Sequence, residues 1–138
     1  MHLNRNSYRL IAIAAVFGGL AVGSGAFGAH ALKNRLLAAG TNGVWETAVF
    51  YHLIHAVAAL AVGLGGGAVS TRVAGTLIRT GWCWLAGVTL FSGSLYALAL
   101  GGPRFMGPIT PVGGLFLLAG WVMLAWAAWR QSLPSASK

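Results

Sequence analysis

Four long apolar blocks, separated by short basic or Gly/Pro-rich breaks, organise the chain. They cover about residues 10–29, 47–64, 80–100 and 109–129; only His52 and His55 interrupt the second, and Arg130 stops the fourth. At about 1.5 Å per residue, a helix of roughly 20 residues spans the ~30 Å hydrocarbon core of a bilayer. The blocks are continuous and show no sustained alternation, which excludes membrane strands. Helices also satisfy every backbone donor internally, as hydrocarbon demands. The pattern predicts an all-α fold: a single domain over residues 1–138, forming a four-helix transmembrane bundle with up-down-up-down topology.

The breaks refine this picture. Lys33 to Glu46 is the longest, and residues 33–39 are expected to form a short interfacial helix before a Thr41-Asn42-Gly43 turn. Gly65-Gly66-Gly67 marks the second connection, and Gly102-Pro103 and Gly107-Pro108 the third. Pro111 falls in the first turn of the last helix, where a missing N–H costs little. Arg5, Arg9, the first apolar run and Ala29-His30-Ala31 also resemble a secretory signal with its cleavage site. The run exceeds the roughly 7–15 residues of a signal core, which favours a retained helix.

Composition agrees with lipid as the solvent. Hydrophobic residues make up 57% of the chain and charged residues 7%, against about 25% charged in a soluble domain. Nine Lys and Arg stand against one acid, Glu46. They are spread between blocks rather than gathered into a stripe, so anionic headgroups are the expected partner and nucleic acid is not. Arg5, Arg9, Arg72, Arg79, Arg130 and Lys138 fall on one side, Lys33, Arg35 and Arg104 on the other. That asymmetry predicts both ends in the cytoplasm, N-in/C-in. In this frame Tyr8, Trp82, Trp84, Trp126 and Trp129 mark the inner boundary and Trp45 the outer. Cys83 is the only cysteine and is expected to pack as a small apolar residue.

Small residues recur every four positions: Ala15, Gly19 and Gly23; Ala59, Gly63 and Gly67; Gly93, Ala97 and Gly101. Such rows let helix backbones approach closely, either within the bundle or across a dimer face. Gly19 to Leu32 also matches Gly87 to Leu100 at six of fourteen positions. Duplication of a helical hairpin and biased Gly/Ala/Leu usage both account for that match.

Polar groups crowd the outer half: His30, Thr47, Tyr51, His52, His55, Ser92, Ser94, Tyr96 and Thr110. At membrane depth such groups must meet one another or face a wetted cavity. Thr47, Tyr51 and His55 share a helix face at spacings of four, with His52 at its border. A hydrogen-bond network that locks register is the plainest reading. A proton or cation path and a metal or haem site built from His30, His52 and His55 are the alternatives. No metal or other cofactor is assigned. Nucleophile–base pairs, phosphate loops and paired carboxylates are missing from the sequence, so an enzyme is not expected.

Several strings resemble a known family. They are Gly25-Ala26-Phe27-Gly28-Ala29-His30-Ala31-Leu32; Trp45 with Thr47-Ala48, Tyr51 and His55; Phe91-Ser92-Gly93-Ser94-Leu95-Tyr96; and Ile109-Thr110-Pro111-Val112-Gly113-Gly114 followed by Gly120-Trp121. In this order they resemble the YgdD-like small inner-membrane proteins, domain of unknown function 423, similar to the eukaryotic transmembrane protein 256. The resemblance implies a four-helix, multi-pass inner-membrane protein without an assigned activity. It also places His30, Tyr51, His55, Ser92, Ser94, Tyr96 and Thr110 in signature strings, but not His52. The expectation is therefore a non-catalytic structural or interaction protein of the inner membrane, associating with other membrane proteins or with itself. A small channel or transporter and a metal- or haem-binding protein are the other readings.

Overall fold

The computed structural model describes residues 3–132; Lys138, counted above among the basic residues, lies outside them. Four helices are long and apolar enough to cross a membrane. They are α1 (Arg5–Ala29), α3 (Asn42–Gly65), α4 (Thr71–Ala99) and α5 (Ile109–Ser132), with a short α2 (Lys33–Ala38) between the first two. A single 3-10 turn, Arg104–Met106, precedes α5, and there is no strand among the described residues. Consecutive long helices run in opposite directions. α3 packs between α1 and α4, and α5 packs along α4. α1 meets α4 over a short stretch only, so the helices form a bent row with α1 and α5 at its edges.

The helices outrun their apolar blocks because local caps set their ends. Asn4 accepts a hydrogen bond from the Ser7 amide at 2.8 Å and starts α1 five residues before the apolar run. α4 begins at Thr71, so Arg72 and Arg79 lie on helix rather than in a loop. Its 29 residues reach about 44 Å, and the first turns project beyond the hydrocarbon. The Thr41-Asn42-Gly43 turn expected before the second span is instead the cap and opening of α3. Gly40, at φ +66°, makes that reversal, and Gly101, at φ +84°, ends α4 in the same way. Both follow the Schellman pattern: Thr41 N–H donates to Leu36 C=O and Gly102 N–H to Ala97 C=O.

α2 is not merely interfacial. Leu36 is fully buried and plugs one end of the bundle beside Trp45 and Ala99, while Leu37 stays exposed. Arg35 donates to Leu100 C=O and Thr41 to Ala99 C=O, both at 2.8 Å, so this segment caps the last carbonyls of α4. The main core lies nearer the other end, around Leu10, Ala14, Ala59, Val62, Trp84, Val88 and Leu117.

Glycines do bring helices together, but mostly not those in the four-residue rows. A Cβ on Gly63 would meet Ile11 Cγ1 at 2.9 Å, which fits the expected packing role. Gly19, Gly23 and Gly93 face open space with nothing within 4 Å, and Gly67 lies beyond the end of α3. Ala97 serves chiefly through its carbonyl, which a Cβ on Gly102 would meet at 2.6 Å. The tight contacts use Gly28 against Trp45, Gly81 against Leu10, and Gly87, Gly113 and Gly120 along α4 and α5. Gly113, Leu117 and Gly120 form the buried stripe of α5, at i, i+4 and i+7.

Gly113→Ala would press a methyl group onto the Phe91 backbone, which cannot swing aside. It is expected to lower stability in detergent by about 1–3 kcal/mol, the usual overpacking penalty. Gly93→Ala meets nothing and should be neutral or stabilising by up to ~1 kcal/mol through helix propensity. Chemical unfolding of both variants in mixed micelles checks the contrast.

Candidate functional site: a polar belt across α3, α4 and α5

Every tryptophan indole offers a donor that hydrocarbon cannot satisfy. Two of them are buried in notches cut by glycine. Trp45 of α3 lies over Gly28 and donates to Ser24 C=O of α1 at 3.0 Å. Trp84 of α4 lies over Gly120 and donates to Leu117 C=O of α5 at 3.2 Å. These two residues correct the interfacial placement expected for them: Trp84 is 0% and Trp45 7% exposed, both packed inside the bundle. Tyr8, Trp82, Trp126 and Trp129 do face outward, with Arg130 set over the Trp126 ring at 5.4 Å.

Trp121 of α5 provides the third indole bond, donating to His55 Nε2 at 3.0 Å. On the other side of that ring, Nδ1 lies 2.8 Å from Tyr51 C=O. A carbonyl only accepts and an indole only donates, so the chemistry fixes His55 as the neutral Nδ1–H tautomer. Both nitrogens are taken. The ring stacks on Tyr51 with an interplanar angle of 8° and stands edge-on to Trp84 and Trp121. A cleft of about 370 Å³ lies beside it, lined by Tyr51, Phe91, Pro111, Leu115, Leu118 and Trp121.

Ser94 and Thr110 make a second polar tie between α4 and α5. Their hydroxyl oxygens are 2.7 Å apart, and Ser94 also donates to Phe91 C=O at 2.9 Å. Serine has one proton to give, so Thr110 is the donor of the pair. The tie sits one turn from the Gly113–Phe91 contact and fixes the start of α5. Cys83 adds a weak S–H donation to Phe116 C=O at 3.2 Å, beyond the plain packing expected of it.

The expected cluster is thus gathered only in part. Tyr51, His55, Ser94 and Thr110 are joined as described; Thr47 bonds back to Gly43 C=O on its own helix. His30 does not join them: it is exposed at the end of α1. Among the described residues no three His, Cys, Asp or Glu side chains stand together as a metal site. His52 is buried instead, on another side of α3. It is 7% exposed, with Nδ1 3.3 Å from the Tyr96 hydroxyl and Phe17 edge-on at 5.6 Å. The sequence gives little signal for it, since α3 is apolar on nearly every face. Trp45, Ala48, His52, His55, Ala56 and Ala59 form one helical stripe of buried positions.

The profile of the family described as "Protein of unknown function (DUF423)" matches residues 24–114. The matched segment runs from the Ser24 carbonyl beneath Trp45 to the Gly113–Phe91 contact. The chain belongs to the DUF423 family. A Staphylococcus saprophyticus relative named as a UPF0382 membrane protein is 46% identical over 105 residues, 76% of this chain and 83% of its own. Relatives of the same name occur in Bacillus subtilis, 39% identical over 86% of this chain and 94% of the relative, and in Schizosaccharomyces pombe, 38% identical over 81% and 94%. No solved structure matches. The relatives' names and the four apolar helices agree that this is a multi-pass membrane protein.

Trp121→Phe removes the donor to His55 and is expected to destabilise the bundle by about 1 kcal/mol. In a double-mutant cycle with His55→Leu, the coupling should fall near the ~0.6–1.7 kcal/mol of intramembrane hydrogen bonds. Unfolding in mixed micelles reads it; strictly additive losses would mean that the bond contributes nothing.

Proposed function

We propose that this DUF423 protein is a non-catalytic structural or interaction protein of the inner membrane, with both ends in the cytoplasm. The saturated His55 ring carries the reading. With Nδ1–H on Tyr51 C=O and Nε2 accepting from Trp121, it keeps no lone pair for a metal and no vacant acceptor for a migrating proton. The Ser94–Thr110 pair is likewise engaged in joining helices. These groups are among those on which a channel, transporter or metal centre would rest, and their bonding supports a bundle that holds its shape. The helix row leaves its two edges, α1 and α5, room for another membrane protein or a second copy. Arg5, Arg9, Arg72, Arg79 and Arg130 gather at one end of the bundle and Lys33, Arg35 and Arg104 at the other, which supports the N-in/C-in orientation.

Cross-linking in native membranes is expected to trap a reproducible partner or a homodimer; a clean monomer without partners would count against the proposal. Proteoliposomes should show no proton or cation flux that depends on His55, and a flux abolished by His55→Ala would establish transport instead. A tag after Lys138 should resist protease added outside intact cells, and its cleavage there would reverse the assigned sides.

A further inference from the structure

Glu46 is the only acid in a chain with nine Lys and Arg, and it sits in an unusual place. Asn42 Nδ2, one turn earlier on α3, donates to Glu46 Oε1 at 2.9 Å. Among the described residues that is its one side-chain bond, and Lys33 forms no ion pair with it. Yet Lys33 and Glu46 are both exposed and line one cleft of about 320 Å³, between the end of α1, α2 and the start of α3. An acid and a base that face one space without meeting suit an occupant that carries both charges.

The cleft has a charged mouth and an apolar floor. Lys33 is the first residue of α2 and Asn42 the first of α3. Val49 lies seven residues further along α3, and Gly25 four before the end of α1, so the floor is roughly 6–10 Å deeper. A Cβ on Gly25 would touch Val49 Cγ1 there at 3.4 Å. Trp45 forms a wall, pinned by its bond to Ser24 C=O. Leu36, buried beside Trp45, holds α2 against the bundle, so the cleft is a fixed part of the fold. Two spans end here, which sets the mouth at the level of the headgroups and the floor at the top of the acyl chains.

We propose that this cleft binds a phospholipid whose headgroup carries a primary ammonium beside its phosphate, the chemistry of phosphatidylethanolamine, in the leaflet at the α2 end of the bundle. Glu46 takes the ammonium, accepting its N–H groups on the oxygen that Asn42 leaves open. Lys33, a point charge on a flexible stem, takes the phosphate. A trimethylated headgroup has no N–H to give and calls for a cage of aromatic faces; Trp45 is the one ring among the described lining residues. An anionic headgroup would leave Glu46 without a counter-charge. The volume lies at the small end of the ~300–1,000 Å³ of ligand sites, enough for a headgroup and the first carbons of its chains. A soluble zwitterion would use the mouth alone, and the Gly25–Val49 floor favours the lipid. This site goes beyond a structural role and uses none of the His55 or Ser94–Thr110 bonds.

The test uses the full-length protein in detergent, with native mass spectrometry to count bound lipid and a thermal midpoint from the same samples. Dioleoylphosphatidylethanolamine should bind about tenfold more tightly than dioleoylphosphatidylcholine, the worth of a charge-assisted bond of ~1.4 kcal/mol. It should also raise the midpoint by several degrees, and soluble phosphoethanolamine at equal concentration should not displace it. Glu46→Gln keeps an acceptor for Asn42 and should erase the preference between the two lipids. Lys33→Gln should weaken both alike, because both carry the phosphate. Arg104→Gln, at the same end of the bundle but outside the cleft, should change neither. Equal binding of the two lipids, a preference that survives Glu46→Gln, a matching loss in Arg104→Gln, or full displacement by phosphoethanolamine would overturn the proposal. The lipid-free midpoint reports the folding of each variant, and the two lipids compared on the unaltered protein decide the matter if a variant does not fold. None of these results bears on cross-linked partners or on His55, so the two proposals fail separately.

Discussion

A hydrogen-bond donor in hydrocarbon has no water to fall back on, and in this protein that constraint decides how the helices meet. The bulkiest buried donors are indoles. An indole reaches a neighbouring helix's carbonyl only where the intervening backbone carries no side chain, and Gly28 and Gly120 provide those places for Trp45 and Trp84. A backbone carbonyl already engaged along its helix has a second lone pair to accept with, so helix and notch do not compete. The same contact gives close packing and polar satisfaction. That combination matters in a bilayer, because apolar side chains gain little by leaving lipid for one another.

The two sides of α3 use polar residues differently. Toward α5, His55 is held in one tautomer by a carbonyl and an indole, with the Tyr51, Trp84 and Trp121 rings around it. Toward α1 and α4, His52 has one partner, the Tyr96 hydroxyl, and a second nitrogen buried without one. Two histidines three residues apart thus sit about 60° apart around the helix axis, one with both ring nitrogens bonded and the other with one.

Much of the architecture was legible in the chain, and the reason is simple. Hydrocarbon thickness imposes a length on every crossing, so four apolar blocks announce four helices. Helix ends were less legible because they depend on single capping residues: Asn4, Gly40 and Gly101 outweigh the hydropathy around them. Trp45 and Trp84 were misread for a different reason. A tryptophan near the end of an apolar run looks the same whether it faces a headgroup or a glycine on the next helix. The opposing residue is far away in sequence: Gly28 for Trp45, Gly120 for Trp84. Glycine rows are two-sided in the same way: Gly19, Gly23 and Gly93 meet no neighbour within the bundle, whereas Gly113 and Gly120 lie in close helix contacts. Tyr51, His55, Ser94 and Thr110 were found by their depth, but His30 lies just beyond the helix that would have carried it inward. His52 was hard to read because α3 is apolar on nearly every face, so its sequence does not mark which side is buried.

The account stands on His55 as a fixed, neutral link between α3 and α5. Nitrogen-15 solid-state NMR of histidine-labelled protein in bilayers tests it most directly. One protonated Nδ1 and one unprotonated Nε2 are expected, with through-space transfer from the Trp121 indole proton to Nε2. An Nε2–H tautomer, an exchange-averaged pair of shifts, or no transfer from Trp121 would contradict the account.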